Sequence, residues 1–215
     1  MSLREQLSRS GFAWVEPDLV GLSWPSSGPD APVRDVLSTP SWIRELATSH
    51  LLIDIATEAL GGPAFPVRGN LFAKAAGANW SVPWHQDLVV CVQERVEQDE
   101  FSGWSRKAGQ WHANAPFSVL DGLVALRLHL DACPEGAGPL EVLPGSHRRL
   151  LSADERTSSV QGAALLLPAP LGAVLVMKPL LLHRSASTRS SGSRRVVHIE
   201  YARDPLPGAL QWRYK

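Results

Sequence analysis

Up to residue 66 the apolar positions follow a helical stripe; beyond it they come in short bursts. Trp42, Ile43, Leu46, Leu51, Ile53, Ile55 and Leu60 are spaced as one half-buried helix over the segment SWIRELATSHLLIDIATEAL. Thr39-Pro40 supplies an N-cap followed by proline at the first helical position, and Gly61-Gly62-Pro63 a stop. Nearer the start, Leu3, Leu7 and Phe12 mark a short helix that Gly11 ends. Residues 16–38, rich in Pro, Ser, Gly and Asp, read as loop. Residues 1–66 are therefore expected to be a helical and loop lead-in.

From there short apolar segments are separated by Gly, Pro, Asn and Asp. They span 70–76, 83–92, 121–132, 139–143, 163–168, 172–177, 180–185 and 194–202, with no long helix between them. Such a series predicts an antiparallel sandwich or barrel within one domain, with its core over 67–205. The polar stretch from Gln93 to Val119, which holds Trp104 and Trp111, reads as a long loop or lid. A tail, 206–215, carries Leu210, Trp212 and Tyr214 and can dock on the body or on a partner chain.

Charge and cysteine content narrow the function. Lys+Arg is 21 and Asp+Glu is 21 in 215 residues. A zero balance argues against a nucleic-acid binder or a membrane-surface binder. No apolar run reaches membrane-spanning length, and MSLREQLSRSGF has no signal core, so a cytoplasmic protein is the expectation. Cys91 and Cys133 have no partner at metal-ligand spacing and read as reduced core thiols.

The strongest chemical signal is Trp84-His85-Gln86-Asp87. On a strand, His85 and Asp87 point the same way and offer an imidazole and a carboxylate to one metal. His183, closing the run PLLLH, is the best third ligand. Two His and one carboxylate on one face leave the opposite face open, the facial triad of non-haem Fe(II) oxygenases. A bare H-x-D also arises by chance on an edge strand. Arg194, 11 residues after His183, adds weight, because an arginine there can grip the distal carboxylate of a 2-oxo acid. Arg195 alternates to the other face. A solvated strand-start pair is the bland alternative for both.

Three stretches together resemble the phytanoyl-CoA dioxygenase family of Fe(II)/2-oxoglutarate-dependent oxygenases. They are LFAKAAGANWSVPWHQD (71–87), LRLHLDACPEGAGPLEVLPGSHR (126–148) and GAVLVMKPLLLHRSASTRSSGSRR (172–195). The resemblance implies a mainly β fold, a double-stranded β-helix or jelly roll of cupin type, with N-terminal helices covering one sheet. It implies iron at His85, Asp87 and His183, and 2-oxoglutarate and O₂ as co-substrates. Arg194, Ser185 and Lys74 would hold the 2-oxoglutarate. Thr188 stands where relatives often carry Asn. Related halogenases lack the carboxylate that Asp87 provides, so the resemblance implies a hydroxylase releasing succinate and CO₂.

The two long strands place further polar groups. Arg127 and His129 share one face, as do Arg194, His198 and Glu200. If the strands are neighbours, Arg127, His129, His198 and Glu200 form an internal polar cluster. That suits either a small polar substrate or a structural salt-bridge network. Gln86 and Trp104 are further candidates for substrate contact. Trp84 is expected to face away from the metal into the core, and His147 to serve a turn. Two other readings remain at this point: a cupin-like metal enzyme that does not use 2-oxoglutarate, and a non-catalytic binding protein on the same scaffold.

Overall fold

The computed structural model describes residues 1–17, 25, 31–38, 41–75, 79–158, 163–189 and 193–214. Helix α1 (Leu3–Ser10) opens with a capping box between Ser2 and Glu5. It closes on Gly11, whose φ of 85° suits glycine. Phe12 lies beyond it on β1 (Phe12–Val15), and β2 (Val33–Arg34) follows. The lead-in thus contributes strands as well as helices.

The single helix expected over 41–60 is two, α2 (Trp42–Ala47) and α3 (His50–Leu60). The break has a local cause. Thr48 Oγ1 donates to Arg44 O at 3.0 Å and Ser49 Oγ to Leu46 O at 2.6 Å, so side chains take carbonyls that a continuing helix would use. Ser41, not Thr39, caps α2; Thr39-Pro40 lies outside the described residues.

The remaining strands are β3 (Phe65–Lys74), β4 (Val82–His85), β5 (Val89–Val92), β6 (Ser102–Lys107), β7 (Gln110–Asn114), β8 (Leu123–His129), β9 (Leu140–Val142), β10 (Leu165–Leu167), β11 (Val174–Met177), β12 (His183–Ser185) and β13 (Arg194–Ala202). Short helices α4 (Phe117–Asp121) and α5 (Ala153–Ser158) sit between them. The large sheet has order β1-β11-β8-β13-β3-β2 and faces a sheet of order β10-β9-β12-β4, both antiparallel. This is the expected jelly roll.

β13 shows how the sequence builds the layers. Val197, Ile199 and Tyr201 join the cluster formed with α1, α2 and α3, while Arg194, His198 and Glu200 alternate toward the second sheet. All nine residues of β13 are buried, as expected for a central strand covered on both faces.

Residues 93–119 are not a loop. β6 and β7 form a hairpin that joins β5 in a third sheet, and α4 follows. β6 is exposed or half-buried along its whole length, so it carries no period-two burial pattern for the sequence to show. The tail docks on the chain's own body. Trp212 bridges to Val92 and is buried in the second core cluster, and Tyr214 reaches Asp35 and Gln110. Cys91 and Cys133 are free and buried.

Candidate metal centre and co-substrate pocket

β4 and β12 are hydrogen-bonded neighbours, and their register sets His183 directly opposite His85. The two rings lie 4.1 Å apart between centroids. Asp87 follows β4 by two residues, with its N–H donated to Pro179 O at 2.9 Å. Its carboxylate oxygens lie 3.8 Å from His85 Nε2 and 3.7 Å from His183 Nε2. One ligand atom from each residue falls within 4.8 Å of the others.

The tautomers suit a metal. His85 Nδ1 lies 2.9 Å from Pro83 O and His183 Nδ1 lies 2.7 Å from Leu181 O. A carbonyl accepts only from N–H, so Nδ1 keeps the proton and the Nε2 lone pairs converge beside Asp87. Burial, and then His85 alongside, hold the pKa of His183 below its ordinary value. Burial alone would raise that of Asp87, but His183, His85, His198 and Arg68 together outweigh it and the carboxyl stays low. Neutral His and ionised Asp are the forms that bind a cation. The donor set therefore fits a divalent iron.

Beside it lies an anion site. Lys74 on β3 is the register partner of Arg194 on β13. Lys74 Nζ donates to Ser185 Oγ at 3.1 Å and to Ala186 O at 2.7 Å. Arg194 is buried, with Nε unpartnered and no carboxylate within ion-pair distance among the described residues. Burial, and secondarily Arg194, lower the pKa of Lys74 to about 8. Two buried cations and a hydroxyl without a protein carboxylate suit a carboxylate ligand. After Ser185 the chain is pinned by Asn79, which exchanges two 2.8 Å hydrogen bonds with the backbone of Thr188. The loop is thus held through main-chain atoms, whichever side chain residue 188 carries.

Of the other sequence candidates, Arg127, His198 and Glu200 line the same cavity. Arg127 Nη1 lies 3.0 Å from His198 Nδ1, and Glu200 pairs with Arg68 at 3.0 Å. Three expectations are corrected. His129 is buried outside the cavity lining, its ring tilted against Trp14 and bonded through Nδ1 to Ala173 O at 3.1 Å. Gln86 points away between loops, donating to Leu180 O and Arg149 O and accepting from Leu151 N–H. Trp104 packs in the β5–β7 cluster, and no residue of 93–119 lines the cavity. Trp84 faces away as expected, but it is half-buried beneath Arg184 rather than in the core. His147 is buried, close against Gly11. Arg195 turns to the other face and forms a two-point ion pair with Asp131.

Sequence reading missed Arg68, Asn70 and Phe72. Their signal was present, since they precede Lys74 at even spacing on one strand face.

The family model for phytanoyl-CoA dioxygenase (PhyH) matches residues 28–196, well over half of the chain. The chain belongs to the phytanoyl-CoA dioxygenase family. That family comprises Fe(II)/2-oxoglutarate-dependent oxygenases, and the His85–Asp87–His183 donor set fits it. Among curated relatives, L-proline trans-4-hydroxylase of Streptomyces griseoviridis is 27% identical over 182 residues, 71% of this chain. This member of the phytanoyl-CoA dioxygenase family spans only 59% of that relative's length. AviO1 from Streptomyces viridochromogenes Tue57 is 26% identical, with a TM-score of 0.65 and 96% of both chains covered. SnoN, a non-haem alpha-ketoglutarate-dependent epimerase from nogalamycin biosynthesis, matches with a TM-score of 0.66 at 16% identity, over 93% of this chain and 79% of its own. That last likeness speaks to the fold. No helix of the described residues is long and apolar enough to cross a membrane.

Proposed function

We propose that the protein is an Fe(II)- and 2-oxoglutarate-dependent hydroxylase of a small polar molecule. The observation that carries this reading is the pairing of a complete His85–Asp87–His183 set with a buried Lys74–Arg194 pair that has no carboxylate counter-ion among the described residues. A cupin-like enzyme without a 2-oxo acid has no use for the second feature, and a plain binding protein has no use for the first. The naming of a relative as a proline hydroxylase supports hydroxylation as the outcome.

His85, Asp87 and His183 would hold the iron. Iron(II), 2-oxoglutarate and O₂ together supply an oxidant able to attack an unactivated C–H bond, with succinate and CO₂ released. The chain's own work is positional. Arg194, Lys74 and Ser185 would take the distal carboxylate of 2-oxoglutarate and so fix its orientation. The Nδ1–H···O=C bonds hold both imidazoles in place. Three protein ligands would leave the metal's other positions for co-substrate and O₂. The walls of β3, β8 and β13 then place the substrate and exclude water.

The test is an anaerobic titration of metal-free protein with Fe(II) and then 2-oxoglutarate, following the visible charge-transfer band of the chelate. The band should form in wild type, vanish in His183→Ala, and require at least about tenfold more 2-oxoglutarate in Arg194→Ala. Iron binding without the band would return the cupin-like reading. Product mass then separates hydroxylation, a gain of one oxygen atom, from an epimerisation that leaves mass unchanged.

A further inference from the structure

We infer that the substrate carries a carboxylate and that Arg127 is the residue that receives it. The inference rests on the proposed oxygenase reading and deepens it. It starts from the cations that line the cavity and asks which of them already has an anion.

Arg68 has Glu200 at 3.0 Å. Arg184, at the rim, has Glu141 at 2.7 Å. Lys74 and Arg194 form the clamp for the co-substrate's distal carboxylate. The co-substrate's other carboxylate and Asp87 would balance a divalent iron. Arg127 remains. It is only 6% exposed, its Nε has no partner, and no carboxylate lies within ion-pair distance among the described residues. Its contacts are neutral: the ring of His198 through Nη1 at 3.0 Å, and the face of Phe72, 5.4 Å from its centroid. Burial, and then Arg194, press the pKa of Arg127 downward. A guanidinium nevertheless stays charged in proteins. A buried cation without an anion costs several kcal/mol, so a site that retains one is built to receive a counter-ion.

Arg127 enters the cavity from a different strand pair than the clamp: it is the register partner of His198, four residues along β13 from Arg194, about 13 Å of extended backbone, while its guanidinium stays near enough to feel the Arg194 charge. His198 and Phe72 fix the guanidinium plane by contact on two sides. A planar, fixed fork favours a planar carboxylate.

The experiment uses the Fe(II)·2-oxoglutarate complex under anaerobic conditions. The probes are small free carboxylic acids, including amino acids and aromatic acids, each paired with its primary amide. Binding is read as a perturbation of the charge-transfer band, and turnover in air as succinate release. One or more acids should shift the band with at least about tenfold higher affinity than the matched amide, the size expected for a charge-assisted hydrogen bond. Arg127→Met should abolish that preference and leave the 2-oxoglutarate Kd within about twofold, and Arg127→Lys should restore part of it. A thermal melt on each variant separates misfolding from lost recognition. Three results overturn the inference: amides that bind as well as acids, no acid that shifts the band, or an Arg127→Met variant that weakens 2-oxoglutarate as much as Arg194→Ala does, which would assign Arg127 to the co-substrate. Absence of the band in wild type removes the oxygenase reading itself, a distinct outcome that takes this inference with it.

Discussion

Lys74 and Arg194 face each other across the β3–β13 register, both more than nine-tenths buried and both positively charged at neutral pH. Adjacent like charges in an interior are destabilising, and here no acidic side chain among the described residues offsets them. The pair makes sense as half of a complex whose other half is an anion.

That arrangement sets a pH dependence. The Lys74 pKa is lowered to about 8 by burial and then by Arg194, so in the free protein its charge is lost as pH rises through that value. An anion binds the protonated form. The Kd for 2-oxoglutarate should therefore be flat near pH 6–7 and rise above pH 8, approaching tenfold per unit. Lys74→Met should bind more weakly at low pH and show a flat profile. A wild-type Kd that does not change up to pH 9 would rule out Lys74 as a charged contact.

Gly138 guards the same clamp from the outside. Its φ is 68°, and a Cβ there would collide with the carbonyl oxygen of Ala186, the acceptor of the Lys74 ammonium. Gly138→Ala must move backbone, not a flexible side-chain tip. We expect roughly 1–3 kcal/mol of destabilisation together with weaker 2-oxoglutarate binding, and intact iron binding. Parallel thermal melts and anaerobic titrations check this; a melt shift alone would mean that the clamp tolerates the displacement.

Gln86 sits between two triad residues yet serves the frame. Its amide donates to Arg149 O at 2.9 Å and Leu180 O at 2.7 Å, and its oxygen accepts from Leu151 N–H at 2.8 Å. Gln86→Leu leaves these buried groups unpaired, at a cost of about 2–4 kcal/mol. Tm should fall by roughly 5–10 °C. At a temperature where the variant is folded, substrate KM should be unchanged; a KM effect without a Tm effect would restore Gln86 as a substrate contact.

Trp104 provides the opposite check on the hairpin. It packs on the β5–β7 cluster, and Arg95 stacks 5.8 Å from its ring. Trp104→Ala should lower stability by roughly 1–3 kcal/mol, less than for a fully buried tryptophan. The 2-oxoglutarate Kd and the rate of succinate release should match wild type, whereas a lid residue would change both.

The parts legible in the sequence were those whose pattern is local. Period-two alternation exposed β8 and β13 and the inward face that holds Arg127, His198 and Glu200. H-x-D exposed two ligands, and the apolar run PLLLH pointed to the third, His183. What stayed hidden depends on partners distant in sequence. His129 has the alternation of a cavity residue, but Trp14 and the Ala173 carbonyl claim it. Gln86 points opposite to His85 and Asp87, as alternation implies, and the backbone groups at Arg149, Leu151 and Leu180 that hold it lie far away in sequence. The hairpin at 102–114 reads as polar loop because much of β6 faces solvent. The split at Thr48–Ser49 is local chemistry, but the apolar stripe runs on through it and masks the break.

The two-sided construction of β13 has a consequence for change over time. Residues 197, 199 and 201 answer to the helices, and 194, 198 and 200 answer to the cavity. Selection on the two sets is therefore separable. Polar groups at 127, 198 and 200 can change the lining of the cavity while the apolar positions that hold the sheet to its helices stay as they are. A library confined to the cavity face should accordingly yield a large fraction of folded members. One that shifts the alternation by a single residue should yield almost none, because every charge would then enter the helical layer.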